Sequence, residues 1–338
     1  MPMRDIGLST RVWNNNIRCA LLLAGFPLLL TFALYGLALI VATGDSLDLN
    51  QAMWDAAAAM PSFLAFGFLF AGLWFLIAWL LNQRIMDGVT GARPVTRQQE
   101  PLLWNTLEAL CISRGERMPR LAVIETPELN AYASGLSRET GAVTVTRGLL
   151  DNLEPAELRA VLAHELAHIR GGDARLGVIA AIFAGILTFA VEIMFRGRRR
   201  AIFLPRRGGS SGRRGGGLAV VLGLVIIMIA AALAVALRFA LSRNREFQAD
   251  AEAVRLTADP DAMIMALRRI EGRSTMPAVP SLVRAMMLDD AAMSRGPRIW
   301  ATHPPIQARV DALVRFAGGH DPGPLPPPAP PPEEQPAA

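Results

Sequence analysis

There is no lysine in this chain of 338 residues: all 34 Lys/Arg positions are arginine. So uniform a choice reads as codon bias rather than chemistry. The net charge of +5 does not imply a nucleic-acid partner, because membrane proteins flank their spans with arginine, and no nucleic-acid motif is present. Only two cysteines occur. Cys19 lies in an apolar run and Cys111 in a helical one, which excludes a disulfide framework and is compatible with a reducing, cytosolic face. Aromatics are sparse at 7%. What is abundant is aliphatic: the chain is 52% hydrophobic with mean hydropathy +0.33. Ala, Leu, Val and Ile gather in long blocks, the composition of membrane spans rather than of a soluble globule.

The blocks divide the chain. Residues 1–16 are a polar segment with Arg4 and Arg11. Residues 17–43 are apolar for about 40 Å of helix, longer than a signal-peptide core and followed by no clear cleavage site, so they are a retained span. Residues 44–58 carry Asp45, Asp48 and Asp55 and read as an external loop before a second span at 59–82. Arg84, Arg93 and Arg97 follow, so the N-terminus and everything after residue 83 belong in the cytoplasm by the positive-inside rule. Residues 83–175 read as soluble structure, with a helix over 96–114 and strands at Leu121–Ile124, Asn130–Ser134 and Ala142–Thr146. Apolar segments at 176–195 and 217–241 enclose an Arg/Gly-rich loop, 196–216. Crossing by both segments or by neither keeps residues 175 and 242 on one side. Two crossings are favoured because 217–241 has no polar face, although the arginines then lie outside. Residues 242–318 return to soluble helix, and 319–338 are a Pro-rich tail expected to be disordered.

The strongest motif is His164-Glu165-Leu166-Ala167-His168. Pro155 suits a first helical position and Gly171-Gly172 a stop, so both histidines stand one turn apart on one helix face and can meet one metal ion. Glu165 lies beside them, able to take a proton from an activated water without being a ligand. This is the HExxH arrangement of zinc hydrolases. With four histidines in the chain, chance yields it in roughly one such sequence in 500. Two histidines leave a catalytic zinc one protein ligand short. Only His303 and His320 remain, so carboxylates are the better pool. Glu246 and Asp250 sit one turn apart on the helix leaving the last apolar segment. Glu246 is assigned as ligand, completing a His₂Glu set, and Asp250 as an acceptor fixing a ring N–H. On spacing alone, an exposed charged helix with Arg243, Arg245 and Glu252 fits equally well. Asp173 is likewise either a helix-exit residue or a second such acceptor.

Together these residues resemble the HtpX-type membrane-bound zinc endopeptidases, relatives of the CAAX prenyl proteases. The resemblance is carried by His164–Ile169 with Gly172-Asp173 and by Arg245-Glu246-Phe247-Gln248-Ala249-Asp250. Asn130-Ala131-Tyr132-Ala133, Thr146-Arg147-Gly148-Leu149-Leu150, and Thr302-His303-Pro304-Pro305 with Arg309 extend it over roughly residues 17–315. It implies one zinc ion held by His164, His168 and Glu246, with Glu165 as catalytic base. It also implies that Asn130, Ala131, Tyr132 and Ala133 form an edge strand that receives an extended substrate by main-chain hydrogen bonds. His303 or Arg309 is expected to stabilise the oxyanion, with a helix cap or a surface pair as the alternative. The long Arg/Gly loop and the Pro-rich tail depart from the family pattern.

The fold expected is α+β: a mainly helical integral membrane protein with about four apolar segments and a gluzincin-type protease domain containing a small sheet. The function expected is zinc-dependent cleavage of misfolded or damaged membrane proteins, at the cytoplasmic side of the inner membrane. The partners are polypeptide substrates and the lipid bilayer. Two rivals are a prenyl-protein protease, whose relatives enclose a chamber with more spans, and a non-catalytic zinc scaffold, which would have no use for Glu165.

Overall fold

A computed structural model describes residues 8–42, 48–182, 185, 216–240, 243–284, 286–289 and 303–326. Two long apolar helices begin the chain, α1 (Leu8–Ala42) and α2 (Leu49–Thr90). Both contain stretches apolar and long enough to cross a bilayer. α2 has 42 residues, about 63 Å at 1.5 Å per residue, twice the roughly 30 Å hydrocarbon core. It therefore differs from the sequence reading at both ends. Most of the acidic segment 44–58 is its first turns rather than a loop, and its last turns run past residue 82 into the soluble domain. It stops at Gly91, whose φ of 72° is the left-handed conformation that ends helices.

Large apolar side chains point outward along α2, with Phe66 75% and Leu69 70% exposed. A water-facing surface does not carry such a row; a lipid-facing one does. The last apolar segment is a helix as expected, α7 (Gly216–Ala240), packed along α1 and more lightly on α2. Its axis meets α1 where both helices carry glycine: a Cβ on Gly223 would stand 2.4 Å from the Gly36 carbonyl oxygen. Of the third segment, 173–182 is helical (α6) and Gly185 is also helical. The rest of that segment, and the Arg/Gly loop before Gly216, lie outside the described residues.

The soluble domain wraps a mixed four-stranded sheet in the order β1-β2-β4-β3. The central pair, β2 (Arg120–Ile124) and β4 (Ala142–Thr146), is parallel; β1 (Arg93–Pro94) and β3 (Ala131–Ser134) flank it antiparallel. The three longer strands coincide with the β-branched stretches of the sequence to within a residue. β1, with two residues and a proline, gives no periodic signal. Thr146 ends β4 and its hydroxyl accepts from Leu149 N–H, starting α4 (Arg147–Asn152).

α5 (Pro155–Gly171) follows, with Pro155 in its first turn, a reciprocal Glu154/Glu157 capping box and Gly172 as left-handed stop at φ 76°. It is the centre of the domain. α3 (Pro101–Arg114), β3, α8 (Arg243–Thr257) and α9 (Pro260–Ile270) all pack on it, through Leu158, Leu162 and Leu166, each almost fully buried. The C-terminal helix, Ile306–Ala317, closes over α8 and α9. The start of the tail expected to be disordered from residue 319 packs on the domain. Asp321 pairs with Arg268 at 2.6 Å, and the Asp261 carboxylate accepts from His320 N–H. Residues 327–338 lie outside the described residues.

Candidate active site

α5 and α8 cross so that the candidate residues converge. His164 and His168 face each other with their Nε2 atoms 3.0 Å apart. Glu246 on α8 reaches both, 3.5 Å from His164 Nε2 and 3.6 Å from His168 Nε2. One donor atom from each of the three lies within 4.8 Å of the others. The opposite ring nitrogens are held by carboxylates: His164 Nδ1 is 2.9 Å from Asp250 and His168 Nδ1 is 3.1 Å from Asp173. A carboxylate on Nδ1 keeps the proton there and turns the Nε2 lone pair outward. Two such lone pairs and a carboxylate aimed at one point form a donor set that suits a zinc ion.

Buried polar atoms left over point the same way. Glu246 Oε2 meets His164 and His303 only at 3.5 Å, and the buried Glu165 carboxylate has the Ala133 backbone beside it but no side-chain partner; a buried group of this kind is costly unless something else satisfies it. Glu165 is 1% exposed. Burial, reinforced by the Glu246 charge, raises its pKa to about 7, against the pull of His164 and Arg309. Burial pulls His164 down, but hydrogen bonds donated to Asp250 and Glu246 outweigh it and raise the group to about 9 in the metal-free protein, so a metal bound at Nε2 would displace a proton. His168 is lowered, chiefly by burial. Glu246 is held well below the carboxylate range: burial would raise it, but the charges of His303 and His168 prevail.

His303 and Arg309 part company. His303 lines the cavity beside Glu246, His168 and Ala133, and neither of its ring nitrogens has a hydrogen-bond partner in the protein. Arg309 is fully buried behind His164 and does not line that cavity. Its Nε and Nη2 donate to the two Asp250 oxygens at 2.8 and 2.6 Å, and Nη1 donates to the Leu288 carbonyl at 2.9 Å. Of the two residues expected at the oxyanion, His303 is the one on the cavity wall, while Arg309 holds Asp250 and the Leu288 carbonyl.

β3 lies at the sheet edge, but its outer side is partly covered. Leu288 N–H donates to the Ala131 carbonyl at 2.8 Å, and Tyr132 bridges Met287. The Asn130 side-chain amide donates to the carbonyls of Ser274 and Asp289, and its oxygen accepts from Ala131 and Leu288 N–H. Tyr132 OH meets Thr90 at the end of α2. Thr146 N–H donates inward to Asn130, so by strand alternation Ala131 and Ala133 turn their peptide groups outward. Ala131 is already paired, while Ala133, on the same outward-facing side of β3, lines the cavity with its backbone beside Glu165.

Residues 97–317 match peptidase family M48. The chain belongs to that family. A Protease HtpX homolog of Bacteroides fragilis is 33% identical over 324 residues, covering 93% of this chain and all of that protein. One of Listeria monocytogenes is 36% identical over 251 residues, covering 70% of this chain and 81% of that protein. A solved structure, S. mikatae Ste24p, is similar with TM-score 0.43 and 22% identity over 74% of this chain and 58% of that one. The resemblance read from the motifs thus holds.

In this M48 chain the sequence reading missed four cavity residues: Ala174 and Gly177 of α6, Arg245 and Met286. Arg245 stands in a quoted motif and lies 3.9 Å from Asp173. Met286 carries no sequence signal, because only the fold returns its segment to β3.

Proposed function

We propose that the protein is an integral-membrane zinc endopeptidase. The observation that supports this best is the convergence of His164, His168 and Glu246 donor atoms within 4.8 Å, beside a buried carboxylate, Glu165, without a side-chain partner. One zinc ion, when bound, supplies a Lewis acid that acidifies water and polarises a carbonyl. His164 and His168 hold it through Nε2 and Glu246 through its carboxylate, while Asp250 and Asp173 keep the imidazoles in the right tautomer. Glu165 accepts the proton of the attacking water, which its raised pKa suits, and returns it to the leaving amine. Ala133 pairs with the main chain of an extended substrate, which gives affinity without side-chain selectivity. His303, on the cavity wall, is the candidate donor to the developing oxyanion.

The site belongs on the cytoplasmic face of the inner membrane, by the arginines after α2's apolar stretch, and its substrates are misfolded or damaged membrane proteins. Detergent-purified protein loaded with zinc is incubated with an unfolded membrane protein, wild type beside Glu165→Gln. Wild type cleaves, the variant loses about 10²–10⁴-fold in rate, and both retain one zinc. A chelator abolishes the wild-type reaction and zinc restores it. Absence of zinc from both proteins overturns the metal assignment; equal activity overturns Glu165 as the base.

A further inference from the structure

The cavity at the candidate zinc site is small, about 40 Å³, room for about three waters at roughly 10–15 Å³ each. A large substrate side chain finds no space in it. A second cavity of about 440 Å³ begins one turn further along α6. Ala174 and Gly177 line the first; Val178, Ala181, Ile182 and Gly185 line the second. These six positions fall on one face of a helix, so a single stripe of α6 walls both spaces. Opposite it stand Ile77, Ile85 and Val89, where α2 passes from its apolar stretch into the domain. The lining is almost wholly apolar. Its polar exception is Asn82, whose side-chain amide donates to the Trp79 carbonyl.

Met286 sits at the joint. It lines the small cavity and packs on the apolar clusters of Val178 and of Val283, both of which face the large one. Its Cγ and Cε lie 3.4 Å from where a Cβ on Gly177 would be, so the side chain rests against bare α6 backbone. Methionine is unbranched with three rotatable bonds and fills irregular gaps.

Building on the endopeptidase reading, we infer that the α2/α6 cavity is a substrate subsite, gated by Met286, that receives a large apolar side chain flanking the scissile bond. A strand paired at Ala133 lies across the small cavity, and a side chain directed toward Gly177 meets Met286, the described residue that stands between the two spaces. The walls are apolar and open on the α2 side, where Ile77, Ile85 and Val89 stay exposed, and apolar walls make large aliphatic and aromatic side chains the favoured occupants. The enzyme thus selects the apolar stretches that membrane proteins expose when they fail to fold.

The test uses the zinc-loaded full chain in nanodiscs and a peptide library, with cleavage positions mapped by mass spectrometry. Large apolar residues are enriched at least fivefold at one position beside the cut. Ala181→Phe, which fills the cavity, lowers the ratio of large-apolar to small-residue cleavage at least fivefold, and Met286→Ala raises it; opposite signs separate specificity from misfolding. No enrichment in wild type, or an unchanged ratio in both variants, overturns the inference while leaving the peptidase reading intact. A binding measurement stands apart from activity. Glu165→Gln protein carrying Ile182→p-benzoylphenylalanine is irradiated with a peptide holding a central Leu-Phe pair. A peptide crosslink supports the subsite even if wild type cleaves nothing, an outcome that would sink the peptidase reading instead. Crosslinking to phospholipid alone assigns the cavity to acyl chains and overturns the inference.

Discussion

At the scale of single residues, the site is two histidines each backed by a carboxylate. Asp250→Asn or Asp173→Asn removes the charge behind one imidazole and weakens metal affinity about 10–100-fold, measured by competition with a chromophoric chelator. Arg309 belongs to the same chain of contacts one step further back. Replacing it with leucine leaves Asp250 buried without its bidentate partner, and thermal unfolding in detergent should show a loss of about 3–5 kcal/mol. Were Arg309 an oxyanion donor instead, activity would fall with stability unchanged. His164, Glu165 and His168 were legible because a helix fixes their mutual positions through spacing alone. Arg309 was legible only through the family resemblance, since its partner lies 59 residues away.

At the scale of elements, the turns between strand and helix bear the load. Gly148 opens α4 where the chain crosses the 127–128 loop; a Cβ there would lie 2.0 Å from the Pro127 carbonyl oxygen. Gly148→Ala must displace backbone, and should destabilise the domain by about 3 kcal/mol, read as a lowered midpoint of chemical unfolding. Asn130 ties β3 to segments at 274 and 288–289. From the sequence it read as part of a substrate strand, and in the fold it is the knot that covers half of that strand's edge. Strand positions could be read from β-branched runs, but not which edge groups are already paired, because the pairing segment arrives from 158 residues further on.

At the scale of the whole molecule, three apolar helices carry a soluble domain, and α2 belongs to both parts. Gly36 and Gly223 let α1 and α7 touch backbone to backbone, the close approach by which helices associate in lipid, where no hydrophobic force drives them together. Gly223→Leu should separate them; a disulfide engineered across the α1–α7 contact would form readily in wild type and much less in the variant, scored by gel mobility. Near the end of α2, Arg120 clamps the domain to the helix through Asp87 at 2.6 Å.

The sequence alone determined what depends on local periodicity: the apolar blocks, the HExxH helix with its start and stop, the three longer strands and the family. Each is a pattern written within a few turns of chain, where backbone geometry converts spacing directly into a shared face. Only the tertiary structure decided which groups remain available once packing has taken its share. It spent Arg309 on Asp250, paired Ala131 with Leu288, left Ala133 at the cavity, and set Met286 between the histidines and an apolar space. Those outcomes depend on contacts between segments far apart in the chain, and side chains compete for partners only after the segments meet.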